Sequence, residues 1–129
     1  MSEEEYNIIT EEIIAAAIEV HRNLGPGLFE SVYESCLIEE IANRGLSCRS
    51  QVKTPIHYKG KTLDKFFVID LLVEDKVIIE LKAIEEILPV HEVQLVTYLK
   101  LANKKLGLLI NFNVPILKKG IKRKINGTL

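Results

Sequence analysis

Apolar positions along the chain switch between helical and strand periods. Ile14, Ala17, Ile18 and His21 recur at helical spacing. Thr10 ahead of them is a capping-type residue, and Glu11 and Glu12 suit the positive end of a helix. A first helix is therefore expected to start near Thr10 and to break at Gly25-Pro26-Gly27. Phe29, Val32, Tyr33, Cys36, Leu37, Glu40 and Ile41 trace one face of a second helix over 28–43, with Gly45 at its stop. Residues 47–58 are mixed, and Pro55 argues for an edge strand or a bend. His57 to Lys61 reads as a hairpin tip, and 66–73 is nearly all apolar. Glu74-Asp75-Lys76 is a polar turn, and 77–83 is apolar again apart from Glu80 and Lys82. Pro89 suits the first turn of a third helix ending near Asn103. A strand over 106–112 follows, then a possible edge strand over 116–125 with its basic residues outward.

The order α-α-β-β-β-α-β, with a last β, gives a mixed α/β domain whose sheet is flanked by helices. A chain of 129 residues fits one domain, 1–129, and no repeat or long linker interrupts it. With 47% hydrophobic residues it can build a real core. It has no apolar run of about 18 residues, the least a membrane-spanning helix needs. The acidic start Met1-Ser2-Glu3-Glu4-Glu5 does not resemble a signal peptide, and Cys36 and Cys48 show no CxxC spacing. A cytoplasmic protein with reduced thiols is expected.

The net charge of −1 argues against a protein that coats DNA. Its distribution says more. From Lys100 onward there are eight basic residues and no acid, leaving 9 basic and 18 acidic side chains in the first 99 residues. An acidic body and a basic C-terminal third can hold cations at one place and phosphates at another. Solvated lysines explain the tail equally well.

Two apolar runs carry misplaced charges. Asp70 is the lone charge in Phe66–Val73, and an unpartnered ionised carboxylate there costs several kcal/mol. Glu80 and Lys82 are two apart on the next run and share one face. Two carboxylates beside a lysine suit metal-assisted phosphodiester hydrolysis. The acids ligate a hard divalent cation, and the lysine positions water or offsets developing charge. A buried acid–lysine ion pair is the structural alternative. The catalytic reading makes a demand on register. A two-residue turn at Glu74-Asp75 would put Asp70 and Glu80 on opposite faces, whereas a three-residue loop pairs 73 with 77 and sets 70 opposite 80. The second register, or a bulge that achieves the same thing, is expected.

Asp70 followed by Glu80-Leu81-Lys82, on adjacent strands between helices, resembles the PD-(D/E)XK nuclease superfamily. Gly27-Leu28-Phe29-Glu30-Ser31-Val32-Tyr33 is similar to the GxxExxY signature of one of its small bacterial and archaeal families. Gln94-Leu95-Val96-Thr97-Tyr98 resembles the QxxxY motif of RecB-like members, and Leu106–Phe112 resembles the family's closing strand. Ile69 stands where the superfamily's name has a proline.

The resemblance implies a restriction-endonuclease-like αβββαβ core and a Mg²⁺- or Mn²⁺-dependent nuclease, most simply one acting on DNA. It implies metal ligation by Asp70, Glu80, Glu30 and the Leu81 carbonyl, with Lys82 catalytic and Gln94 and Tyr98 in support. Glu30 falls on the border of the second helix's apolar face, although a glutamate there also suits the helix dipole. Gln94 and Tyr98, at i and i+4, share one side of the third helix. A buried Gln94 amide would need partners, while Tyr98 could equally be a core aromatic. Lys118, Lys119, Lys122, Arg123 and Lys124 would guide the nucleic-acid backbone. His21 and His91 read as core-edge or capping residues rather than zinc ligands, and His57 as exposed. A non-catalytic nucleic-acid-binding or regulatory module, or a small homodimeric interaction protein, is the alternative.

Overall fold

A computed structural model describes all residues, 1–129. Its elements are α1 (Glu3–Leu24), α2 (Glu30–Asn43), β1 (Cys48–Tyr58), β2 (Lys61–Val73), β3 (Val77–Lys82), α3 (Pro89–Ala102), β4 (Leu106–Asn111) and β5 (Ile121–Ile125), with a 3₁₀ turn at Leu117–Gly120. The five strands lie in the order β1-β2-β3-β4-β5. Only β3 and β4 are parallel, and α3 is the crossover that a parallel pair requires.

The helices divide the core in two. Ile13, Ala17, Tyr33, Leu37 and Ile41 of α1 and α2 pack with Leu71, Val73, Val77, Ile79, Leu81, Leu108 and Ile110 of the sheet. Leu95 and Leu99 of α3 pack on the other face with Phe67, Ile69, Leu72, Ile78 and Leu109. Along β3, the side chains at 77, 79 and 81 therefore face α1 and α2, and those at 78, 80 and 82 face α3.

Several boundaries differ from expectation: β2 begins five residues before the apolar run at Phe66, α2 begins at Glu30, and α1 and β5 differ as well. Helix α1 starts at Glu3, seven residues before Thr10. Ser2 and Glu5 form a capping box, in which the Ser2 hydroxyl accepts from the Glu5 N–H at 3.2 Å. Tyr6 and Ile9 extend the buried stripe toward this cap. Thr10 is buried inside the helix, its hydroxyl donating to the Asn7 carbonyl at 3.1 Å. The expected strand over 116–125 is half 3₁₀ turn and half β5. The turn closes onto the end of β4, where a Cβ on Gly120 would lie 2.3 Å from the Asn111 carbonyl oxygen.

The β1–β2 hairpin ends in a two-residue turn at Lys59-Gly60, both at positive φ. β1 is the edge strand that Pro55 implied, and its register shifts just past that proline. β2 pairs with β1 along its whole length but with β3 only at Leu71, Leu72 and Val73. The sheet thus forks at Asp70. The faces of β2 also exchange there: Phe67 and Ile69 pack toward α3, while Leu71 and Val73 pack toward α1 and α2. Gln51, across from Asp70 on β1, takes φ +50°.

Tyr33 fixes the connection from α1 to α2. It is fully buried and stacks on Phe112 with centroids 4.4 Å apart. Its hydroxyl donates to the Gly25 carbonyl at 2.6 Å and accepts from the Leu28 N–H at 3.1 Å. Tyr33→Phe keeps the stacking and removes both bonds. It is expected to lower stability by about 1–2 kcal/mol, measured by urea denaturation, with no change in the secondary structure seen by circular dichroism.

Candidate functional site

The loop Glu74-Asp75-Lys76 has three residues. Glu74 and Asp75 take positive φ, and the Lys76 N–H donates to the Val73 carbonyl at 3.0 Å. Val73 pairs with Val77, Leu72 with Ile78 and Leu71 with Ile79. The expected pairing of 73 with 77 is present; continued, that register would set Asp70 opposite Glu80, but the ladder ends at Leu71 and Ile79. At Asp70 the backbone ladder stops and the side chain replaces it, with Oδ2 accepting from the Leu81 N–H at 2.9 Å.

Glu80 is only 6% exposed, and its Oε1 has no hydrogen-bond partner. Burial, followed by the repulsion of neighbouring Asp70, pushes its carboxyl up to about 9, against the opposing pull of Lys82. With no cation bound, Glu80 therefore carries a proton at neutral pH. Lys82 is half-buried and forms no ion pair. Its backbone is fixed, because its carbonyl accepts from the Phe112 N–H at 2.9 Å. The buried ion pair weighed as an alternative does not form.

Tyr98 reaches the acids from α3. Its ring stacks on Phe67 at 4.6 Å, and burial, then Glu80 and Asp70, raises its hydroxyl above the usual range. Gln94 corrects an expectation: it is exposed and bonds to nothing in the chain. Leu95 and Leu99 take the buried stripe of α3, which leaves Gln94 beside it in solvent.

Glu30, the first residue of α2, is exposed, and its Oε2 accepts from the Ala83 N–H at 3.3 Å. With Ser31, Glu34, Gln51, Asp70 and Leu81 it lines a cavity on the α2 side of the fork. Glu30 does not close with Asp70 and Glu80 into a cluster; no group of three His, Cys, Asp or Glu side chains converges anywhere in the chain. Gly27 takes φ +98° just before α2, and Tyr33 ties down the same loop. Phe29 and Val32, expected on the buried face of α2, are exposed, and that face narrows to Tyr33, Leu37 and Ile41.

Asn111 was not singled out from the sequence, although it is the lone polar residue within the strand Leu106–Asn111. It is buried and pairs across the ladder with Lys82. Its Oδ1 accepts from the Ile84 N–H at 3.1 Å, and its Nδ2 donates to the Ile84 carbonyl at 2.9 Å. This holds the chain just after Lys82. Glu34 was also missed; its carboxylate accepts from the Gln51 amide at 2.7 Å.

The basic residues divide. Arg123 donates to Thr10 at 3.1 Å and Asn7 at 2.7 Å, and Lys124 pairs with Glu92 at 2.6 Å, so both are engaged inside the chain. Lys118, Lys119 and Lys122 are exposed. His21 sits at the core edge against the Val114 carbonyl at 2.8 Å, and His91 caps α3 by accepting from the Leu88 N–H at 2.9 Å. His57 is exposed. Both cysteines are free, and burial, then Glu34, raises the Cys48 thiol.

The donors at the fork suit a hard divalent cation. They are two opposed carboxylates, one with an orphaned buried oxygen, next to the backbone of Leu81. The raised acid also has a consequence for stability. A folded-state carboxyl above its unfolded value contributes stability that is present below about pH 4.5 and is lost as pH rises toward about 9. In EDTA, Glu80→Gln is expected to match the wild type near pH 4 and to become progressively more stable than it up to pH 9. Denaturation midpoints across that range measure the effect, and a pH-independent difference would refute it.

Residues 7–124 match the family model of the PD-(D/E)XK nuclease superfamily. No curated protein matches the sequence. Among solved structures, the crystal structure of SSO0001 superposes with a TM-score of 0.51 at 24% identity, over 77% of this chain and 50% of that one. The chain thus spans about half the length of that protein, and the likeness speaks for the fold. The three helices and mixed five-stranded sheet have the restriction-endonuclease-like architecture. Matched from the first turns of α1 to the last turn of the sheet in β5, the chain belongs to the PD-(D/E)XK nuclease superfamily.

Proposed function

We propose that this chain is a Mg²⁺- or Mn²⁺-dependent nuclease of the GxxExxY type that hydrolyses phosphodiester bonds, most simply in DNA. The observation that carries the reading is the opposed pair Asp70 and Glu80, with Glu80 buried, protonated and holding an unpartnered oxygen. Such an arrangement destabilises the empty site and favours a bound cation.

Asp70, Glu80 and the Leu81 carbonyl would hold the metal, with Glu30 approaching from α2. A bound divalent ion supplies Lewis acidity to the scissile phosphate and activates water. Glu80 would ligate the ion as its carboxylate, its proton passing to solvent. Lys82, free of any carboxylate partner, offers its ammonium to the attacking water or to charge developing on the phosphate. Asn111 and the Phe112 N–H fix the backbone from which Lys82 projects. Tyr98 holds a hydroxyl near the acids, whereas Gln94, exposed and unbonded, is available to substrate alone. Lys118, Lys119 and Lys122 are free for backbone phosphates.

Calorimetric titration with Mg²⁺ and Mn²⁺ tests the reading. Binding is expected to release a proton at neutral pH and to vanish in Asp70→Ala. Lys82→Ala should keep metal binding and lose about 10²–10³-fold in cleavage, screened on single-stranded, duplex and branched DNA and on RNA. A wild-type chain that binds neither ion would sink the enzyme reading in favour of a non-catalytic module.

A further inference from the structure

We propose that the two-stranded ribbon beyond the Asp70 fork is the surface along which an unpaired strand of nucleic acid lies on its way to the acid pair. The proposal deepens the nuclease reading and rests on it.

The ribbon begins at the site. Past Asp70, β2 has lost β3 and pairs only with β1, out to Tyr58 and Lys61. The nine steps from Asp70 back to Lys61 span roughly 30 Å at about 3.3 Å each. Val52, Ile56, Phe67 and Ile69 pack one face of its base toward α3. The rest leaves large side chains in solvent, with Phe66 53% and Tyr58 60% exposed. An isolated two-stranded ribbon is marginal in water, and nothing in this fold requires one of this length to complete the sheet.

Its charge is opposite to that of the remaining chain. Residues 53–66 hold Lys53, Lys59, Lys61 and Lys65 against Asp64 alone, a formal +3 on a chain whose net charge is −1. None of these four lysines is in an ion pair, whereas Arg123 and Lys124 are engaged inside the body. Lys53, Pro55, Leu63, Asp64, Lys65 and Phe66 line an open groove.

Each exposed aromatic of the ribbon has a lysine at its ring: Lys53 Nζ lies 4.8 Å from the Phe66 centroid, and Lys59 Nζ lies 5.4 Å from the Tyr58 centroid. Such a couple offers a phosphate contact and a stacking surface together. Duplex bases are already stacked and offer their faces to nothing, so exposed rings gain only from unpaired bases. A third ring, Phe29, is 82% exposed and immediately precedes Glu30. Aromatic surface is thus present both along the ribbon and at the rim of the acid site. A second copy's ribbon carries the same charge and is repelled, which argues against ribbon-to-ribbon pairing.

Fluorescence anisotropy in EDTA, with a labelled DNA oligonucleotide offered single-stranded and as duplex, tests the proposal. The wild-type chain is expected to prefer the single strand. Phe66→Ala should weaken that binding roughly tenfold and leave the duplex nearly unchanged. The pair Lys53→Gln and Lys65→Gln should lower the single-strand salt slope by about 1.4, and Lys118→Gln with Lys119→Gln should lower it less. Equal loss on both substrates in Phe66→Ala would overturn the proposal, as would wild-type binding by the ribbon variants. Self-association abolished by Phe66→Ala, with no change in oligonucleotide binding, would assign the ribbon to a second copy instead. Metal titration of the unaltered chain reads the nuclease proposal separately. If it binds no Mg²⁺ or Mn²⁺, that proposal fails while anisotropy still decides the ribbon.

Discussion

The structure depends on a substitution of partners at Asp70. In a regular antiparallel ladder the Leu81 N–H would bond to the backbone of β2. Here it donates to the Asp70 carboxylate at 2.9 Å. That exchange frees β2 from β3, so the sheet opens at this residue. It satisfies a carboxylate that the surrounding apolar run could not tolerate alone. It also gives Asp70 access to two places at once: the neighbourhood of Glu80 on the α3 face and the cavity bounded by Glu30 on the α2 side. The fork, the acid pair and the departing ribbon meet at this one hydrogen bond.

Around this point the fold is stiffened from both faces. On one face Tyr33 stacks on Phe112 and holds the Gly25–Leu28 loop, which sets where α2 begins and where Glu30 stands. The motif Gly27, Glu30, Tyr33 thus divides into a backbone freedom, a carboxylate and an anchor. On the other side of β3, Asn111 clamps Ile84 while Phe112 bonds to the Lys82 carbonyl. Lys82 projects from a strand held on both sides of its own backbone. Only its side-chain rotamers remain to be ordered when it meets an anion.

The register across β2 and β3 was legible because Glu74-Asp75-Lys76 leaves few ways to place two charges on one face. Alternation has a strict period of two, so one loop length decides it. The start of α1 was misread because two capping candidates compete, and local chemistry alone does not rank Thr10 below Ser2. Tertiary packing of Tyr6 and Ile9 decides that. Gln94 was misread because an apolar stretch on a helix does not say which positions face inward; Leu95 and Leu99 take that face. Asn111 was passed over because its role appears only when the 83–88 loop returns over the end of β4. The exchange of faces at Asp70 was beyond sequence reasoning as well, since strict alternation gives no sign of it; Gln51, on the opposing strand, takes a positive φ at the same point.

The charge distribution follows from the chemistry of such a site. Under the proposed function, carboxylates near the fork such as Glu30, Glu34 and Asp70 would repel the polyanion the site acts on. The positive groups that offset this repulsion must stand far enough away not to pair with those acids, yet close enough to reach the same strand. At about 0.15 M ionic strength exposed charges act over roughly 8 Å, so a single distant basic patch cannot guide phosphates the whole way to the fork. A ribbon rooted at Asp70, with unpaired lysines along its length, would meet both conditions if it carries the strand as proposed. A near-neutral net charge is therefore compatible with nucleic-acid binding here, because opposite charges are held on separate elements instead of cancelling in ion pairs.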